Sequence, residues 1–216
     1  MVTDQELDKM MALGQYIHWS RLQFNSMNYA FEADCSRAEL VGRMAHWLAA
    51  LYVVVEGWQD LKRPDKRINE IIDTYSEFSD VLRRCRNAVY HYQKSQFDKR
   101  IECALELEEL KEWATVLQDE FECFVYMYPL KGWGLSVESV ELHKEYLACI
   151  GWTPENESIE WYKTSMTCIN YISQNSLNKL EKTVENDVLI ISVWEQLQGM
   201  RDQFLQAVLS RWKLNT

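Results

Sequence analysis

The chain has 216 residues, 47% of them hydrophobic and nine of them Trp, enough to bury a large core in one or two domains. Three Pro and seven Gly are too few for the many tight turns of an all-β protein, so long helices are expected. A net charge of −10 argues against broad, non-specific binding of nucleic acid, because an acidic surface repels phosphate; only a local basic patch could recruit it.

The six cysteines (Cys35, Cys85, Cys103, Cys123, Cys149 and Cys168) form no C-x-x-C pair and fall mostly within apolar helical patterns. That usage predicts reduced, buried thiols in a cytoplasmic protein, not a disulfide framework or a zinc site. The first residues, Met1 to Glu6, lack the basic-then-apolar layout of a signal peptide. The longest apolar run, Trp47 to Val55, is too short to span a bilayer, so no membrane partner is expected.

In chain order, Thr3 or Asp4 can cap a first helix whose apolar stripe (Leu7, Met10, Leu13, Ile17, Leu22 and Phe24) runs to about Met27. Asn28 to Asp34 reads as a loop. Ser36, with Glu39 three residues on, has the spacing of a capping box for a second helix over Arg37 to Leu61. That helix is apolar nearly all round from Trp47 to Val55, which places it at the centre of a bundle or at an oligomer interface. Glu56 follows this run; it either reaches water at the helix end or pairs with an arginine further along the chain.

Lys62 to Asp65 reads as a turn around Pro64. A third helical stretch carries Ile68, Ile71, Tyr75, Phe78, Leu82, Cys85, Val89 and Tyr92 at spacings of three and four, with a break near Ser76 or Ser79 left open. A fourth, Lys99 to Tyr128, shows Ile101, Leu105, Leu110, Trp113, Leu117, Phe121 and Phe124 on one face. Its eight acidic residues against one lysine between Glu102 and Glu122 read as a solvated face. Pro129 to Gly134 is the best internal boundary, followed by helices from Ser136 to Ile150, Ser158 to Lys182 and Asn186 to Lys213. This divides the chain into a helical domain over 1–130 and a helical extension over 131–216. His143, alone in the extension, reads as a surface or packed residue.

One segment concentrates the chemistry. Between Arg83 and Arg100 lie six basic residues and one acidic one, a charge of +5 against −15 for the rest of the chain. In a regular helix, Asn87 and His91 share an outward face with Arg83, Arg84 and Lys94, while Arg86 borders the apolar stripe. No Ser/His/Asp set, H-E-x-x-H, Gly-rich phosphate loop or metal-ligand cluster accompanies them, and no cofactor is expected. Histidine moves protons near neutral pH and arginine holds phosphate through paired donors. Together they suit metal-free RNA cleavage, in which a ribose 2′-OH attacks the neighbouring phosphate. Positive neighbours disfavour a further positive charge, which suits His91 as a base. With one histidine in the segment, a two-fold dimer would supply the second proton-transfer group. On residue chemistry alone, the basic residues equally suit a helix C-terminus that they complement electrostatically.

Arg86-Asn87-Ala88-Val89-Tyr90-His91 resembles the R-N-x-x-x-H form of the motif of HEPN domains, and residues 1–130 carry the resemblance. It implies an all-α HEPN-like bundle that dimerises with its motifs facing each other. It further implies a metal-independent endoribonuclease leaving a 2′,3′-cyclic phosphate and a 5′-OH, in the manner of toxin–antitoxin and phage-defence effectors. On that resemblance Arg86 and His91 are the catalytic pair, Asn87 orients them and Glu56 supports them. Arg83, Arg84 and Lys94 would hold RNA phosphates, and the partners would be RNA, a second copy and a cognate antitoxin or regulatory protein. Some HEPN domains lack nuclease activity, and the alternative is a non-catalytic scaffold binding a protein partner or nucleotide.

Overall fold

A computed structural model describes residues 4–62, 64–94, 98–133, 142 and 145–152. The helices expected at Ser158 to Lys182 and Asn186 to Lys213, and His143, lie outside the described residues. The chain groups into two compact units, Met1–Tyr128 with Cys149–Trp152, and Pro129–Ala148 with Thr153–Thr216. The first is described below, and among its described residues every secondary-structure element is a helix.

Helix α1 spans Asp4–Glu32, five residues past the expected end. Nothing in Asn28 to Glu32 is a Gly or Pro breaker, and Ala30 continues the buried stripe of Met10, Leu13, Ile17 and Met27. The helix stops where Asp34 adopts φ 52° and the Cys35 N–H donates to the Ala30 carbonyl at 3.3 Å, a Schellman-type ending. Leu22 is exposed, not on the stripe.

Helix α2, Arg37–Asp60, is capped as expected by Ser36, whose Oγ accepts from the Glu39 N–H at 3.2 Å. The reciprocal arm of the capping box is absent because the Glu39 carboxylate instead accepts from Arg43, at 2.6 Å from Nη2. Trp47, Leu48, Leu51, Val54, Val55 and Trp58 are buried, so this helix is the centre of the bundle. Taken whole, α2 is long and apolar enough to cross a membrane by length and composition, although the run Trp47 to Val55 alone is not. Its buried side chains pack against protein: Trp47 meets Phe24 of α1 at 4.8 Å between ring centroids.

Lys62 takes φ 60° in the turn, and Asp65 caps α3, Lys66–Thr74, accepting from the Arg67 and Ile68 N–H groups. The third stretch does break, at Tyr75, whose ring stacks on Phe78 at 4.8 Å. Helix α4 covers Ser76–Val89.

Lys99–Glu106 forms α5 and Glu108–Trp133 forms α6, separated by extended Leu107. Leu105, expected on the apolar face, is exposed; the buried Ala104 and Leu110 are six apart, which would turn them 120° from each other on one helix, and a one-residue break resets the register. Helix α6 runs on through Pro129 to Trp133, where a turn was expected. Proline's fixed φ is compatible with a helix, and the cost is one missing backbone bond and some crowding.

Buried Trp58 packs edge-on against Phe121 and Phe124 of α6, and its Nε1–H donates to Asn69 Oδ1 at 3.0 Å. Trp113 of α6 packs on Phe78 and donates to the Ile71 carbonyl at 3.0 Å. Each indole therefore buries a large area without orphaning its N–H. The residues 145–149 are helical, and Ile150 comes so close to α1 that a Cβ on Gly14 would sit 3.0 Å from its Cδ1. Gly151 turns the chain at φ +85° over the His18 ring.

Candidate functional site

The surface between α2 and α4 collects the residues that the sequence singles out. Glu56 and Tyr52, four apart, share one face of α2. Arg86 of α4 reaches over both: its Nη2 donates to Glu56 Oε1 at 3.0 Å and its guanidinium carbon lies 5.3 Å from the centre of the Tyr52 ring. The pair is neither sealed nor adrift, with side chains 33% and 43% exposed. Glu56 thus both reaches water and pairs with an arginine of the basic segment. Burial, Glu56 and a hydrogen bond to its carboxylate push the Tyr52 hydroxyl pKa up, partly offset by Arg86 and Arg83. The ring and the carboxylate hold the guanidinium from two sides; its Nε–H is buried without a partner, so only its terminal N–H groups are left for an anion.

Helix α4 ends earlier than the apolar spacing implies. Val89 is its last residue, Tyr90 caps it with its N–H on the Arg86 carbonyl at 3.1 Å, and His91 stands in a bend beyond. The expected shared helical face of Asn87 and His91 therefore does not exist: Asn87 is half-buried on α4, and exposed His91 is displaced from the helix. Tyr92, read as part of the apolar stripe, is 95% exposed. The Gln93 amide donates to the His91 carbonyl, closing the segment into a turn that no helical spacing reveals.

Most of the basic cluster is partnered. Asp80, one turn earlier on α4, pairs with both Arg83 and Arg84, and hydrogen bonding from Arg83 lowers its pKa. Arg100 pairs with Asp98 at 2.7 Å, and the same hydrogen bond lowers the Asp98 pKa. Four of the six basic residues between Arg83 and Arg100 thus have a carboxylate neighbour, so the local field is weaker than the residue count of +5 implies. Lys94 is exposed beyond the helix end.

Sequence reasoning missed His46. It is exposed on α2, and its ring meets the Tyr90 ring edge-on at 6.0 Å. A second histidine of the same chain therefore stands at the end of the motif. Nothing in local spacing signals this, because the contact joins residues 44 apart on two helices.

A second arginine–carboxylate group was also missed. Arg21 of α1 donates through Nε to Glu122 and through Nη2 to Asp119, both on α6. The Gln118 amide links Glu122 at 2.9 Å and the Ile17 carbonyl at 3.2 Å, and Ser20 donates to Gln118 at 2.7 Å. The face read as solvated is thus partly core, with Glu120 and Glu122 buried. Burial raises the Glu122 carboxyl pKa to about 7, against the pull of Arg21. Two carboxylates face one guanidinium here, so an added proton removes the excess charge. The signal was present: Arg21 follows Ile17 by four on the buried stripe, and Gln118 and Glu122 are four apart beside Leu117 and Phe121.

The cysteines also depart from expectation. Among the described side chains Cys85 is buried, its thiol pKa pushed up to about 11 by burial, whereas Cys103 and Cys149 are exposed; none of these forms a disulfide. Compared with known protein families, curated proteins and solved structures, the chain matches none.

Proposed function

We propose that the surface of α2 and α4 is the active site of a HEPN-like, metal-independent endoribonuclease. Arg86 stabilises charge on the phosphoryl oxygens, and His91 takes the proton of the attacking ribose 2′-OH. Glu56 positions Arg86, Asn87 sits one residue along from it, and Lys94 contributes positive charge. The products carry 2′,3′-cyclic phosphate and 5′-OH ends, the chemistry of a toxin or defence effector acting in the cytoplasm as a dimer. The observation that carries this reading is Arg86 itself. It is held by Glu56 and Tyr52, a third open to solvent, five residues before an exposed histidine.

The test is cleavage of RNA in EDTA. The parent cuts and leaves cyclic phosphate ends, and His91→Ala and Arg86→Ala lose on the order of 10²-fold or more with unchanged circular dichroism. Equal cleavage by both variants would remove the assignment.

The pairing of Arg83, Arg84 and Arg100 with carboxylates favours a second reading, a non-catalytic module that binds a protein partner or nucleotide. It predicts no cleavage, with salt-sensitive binding of an acidic partner instead.

A further inference from the structure

We infer that His46 is the second proton-transfer group of the site, donating to the leaving 5′-oxygen within the same chain. The inference rests on the ribonuclease reading and extends it, because that reading otherwise draws its second imidazole from another copy. Three observations support it. Tyr90 joins the two histidines: His46 meets its ring at 6.0 Å, and His91 is its neighbour in the chain. Tyr90 in turn is tied to Arg86 by the last backbone bond of α4. Among the described residues neither imidazole makes a hydrogen bond or an ion pair, and both are exposed, so both can meet a substrate.

The two rings have different surroundings. Arg43, one turn before His46 on α2, places its guanidinium on Glu39 and on the Ser26 hydroxyl, at 2.6 and 2.7 Å. Tyr90 is the titratable group facing His46 from the α4 side. His91 instead follows Arg83, Arg84 and Arg86 and precedes Lys94. We assign the base to His91, five residues after Arg86 in the motif, and the acid to His46, which approaches from α2 on the far side of Tyr90.

The step balances without a co-reactant. His91 accepts the 2′-OH proton as the O2′–P bond forms; the P–O5′ bond breaks and His46 gives its proton to O5′. The ends are a 2′,3′-cyclic phosphate and a 5′-OH, and proton exchange with water restores both rings. Base and acid must lie on opposite sides of phosphorus for in-line displacement. Two histidines carried by different elements can straddle it, with Arg86 at the phosphoryl oxygens.

An RNA with a single 5′-thio linkage tests this, because a thiolate leaves without being protonated. His46→Ala should slow cleavage of the ordinary linkage by about 10²-fold or more. It should leave the 5′-thio linkage near the parent rate, while His91→Ala slows both. His46→Phe keeps an aromatic ring against Tyr90 but has no proton to give, and should behave as His46→Ala. Equal slowing of both linkages by His46→Ala, or parental rates on both, would overturn the assignment of His46 alone. A parent that cuts neither linkage would overturn the ribonuclease reading, and this inference with it.

Discussion

Two arginine–carboxylate groups in this protein use the same chemistry to opposite ends. Between α1 and α6, Arg21 is enclosed with Glu122, their side chains only 4% and 1% exposed, while Asp119 keeps a third of its side chain open. Between α2 and α4, Arg86 and Glu56 are a third or more open. The first group directs its donors inward, and Gln118 and Ser20 extend the network, which leaves Glu122 Oε2 buried without a donor. Removing Arg21 leaves the Glu122 carboxylate in the core without its cation. The second uses one carboxylate and an aromatic ring to orient a cation that still faces water. Burial assigns the first to stability, and the openness of the second is what the proposed function uses.

The largest effect should come from the enclosed group. Arg21→Met leaves buried Glu122 and part-buried Asp119 without a cation and should cost about 3–5 kcal/mol in denaturant unfolding. Arg86→Ala should cost no more than about 1 kcal/mol, because Glu56 can turn to solvent. Comparable losses would erase the distinction. The reverse holds for activity, where only the Arg86 variant should abolish RNA cleavage at unchanged stability.

Glu122 gives the next test. Its folded pKa, about 7, lies above the ordinary carboxyl value, so the native state holds a proton that the unfolded chain releases. The associated stability is fully present below about pH 4.5 and is lost as pH rises through about 7. A fall of about 2–3 kcal/mol across that window is expected, and Glu122→Gln should flatten most of it. An unchanged slope would show that the network carries its charge differently.

Smaller effects sharpen the open site. Tyr52→Ala removes the ring beneath Arg86 and should lower cleavage about 5-fold, from a contact worth about 1 kcal/mol, while Tyr52→Phe stays near the parent. Asp80→Asn frees Arg83 and Arg84 and should leave stability near the parent's, because exposed ion pairs contribute little. RNA binding should tighten and become more salt-dependent, which filter-binding titrations at two ionic strengths would detect.

What was legible in the sequence follows from how far each signal reaches along the chain. Ser36, the Pro64 turn and the buried α2 are set by neighbours within a few residues, and each was readable from spacing. The end of α4 was not, because Tyr92 continues the apolar rhythm although the chain has already left the helix at Tyr90. Leu107 breaks a helix only because the flanking stripes disagree in phase, a relation that appears when they are compared. The contacts of Arg21 with Glu122 and of His46 with Tyr90 join residues 101 and 44 apart, and depend on which helix faces trade places in the bundle. Arg86 with Glu56 was reachable because a carboxylate at the end of an apolar run needs a partner, and the basic segment offered one.

The central claim is that the partly open arginine is functional and the buried one structural. The most direct measurement follows RNA cleavage in EDTA and thermal unfolding together for the parent, Arg86→Ala and His91→Ala. The account predicts cyclic phosphate products from the parent alone, with melting temperatures of all three within about 3 °C. Parental cleavage by either variant would contradict it, and so would a lost activity that accompanies a lost fold.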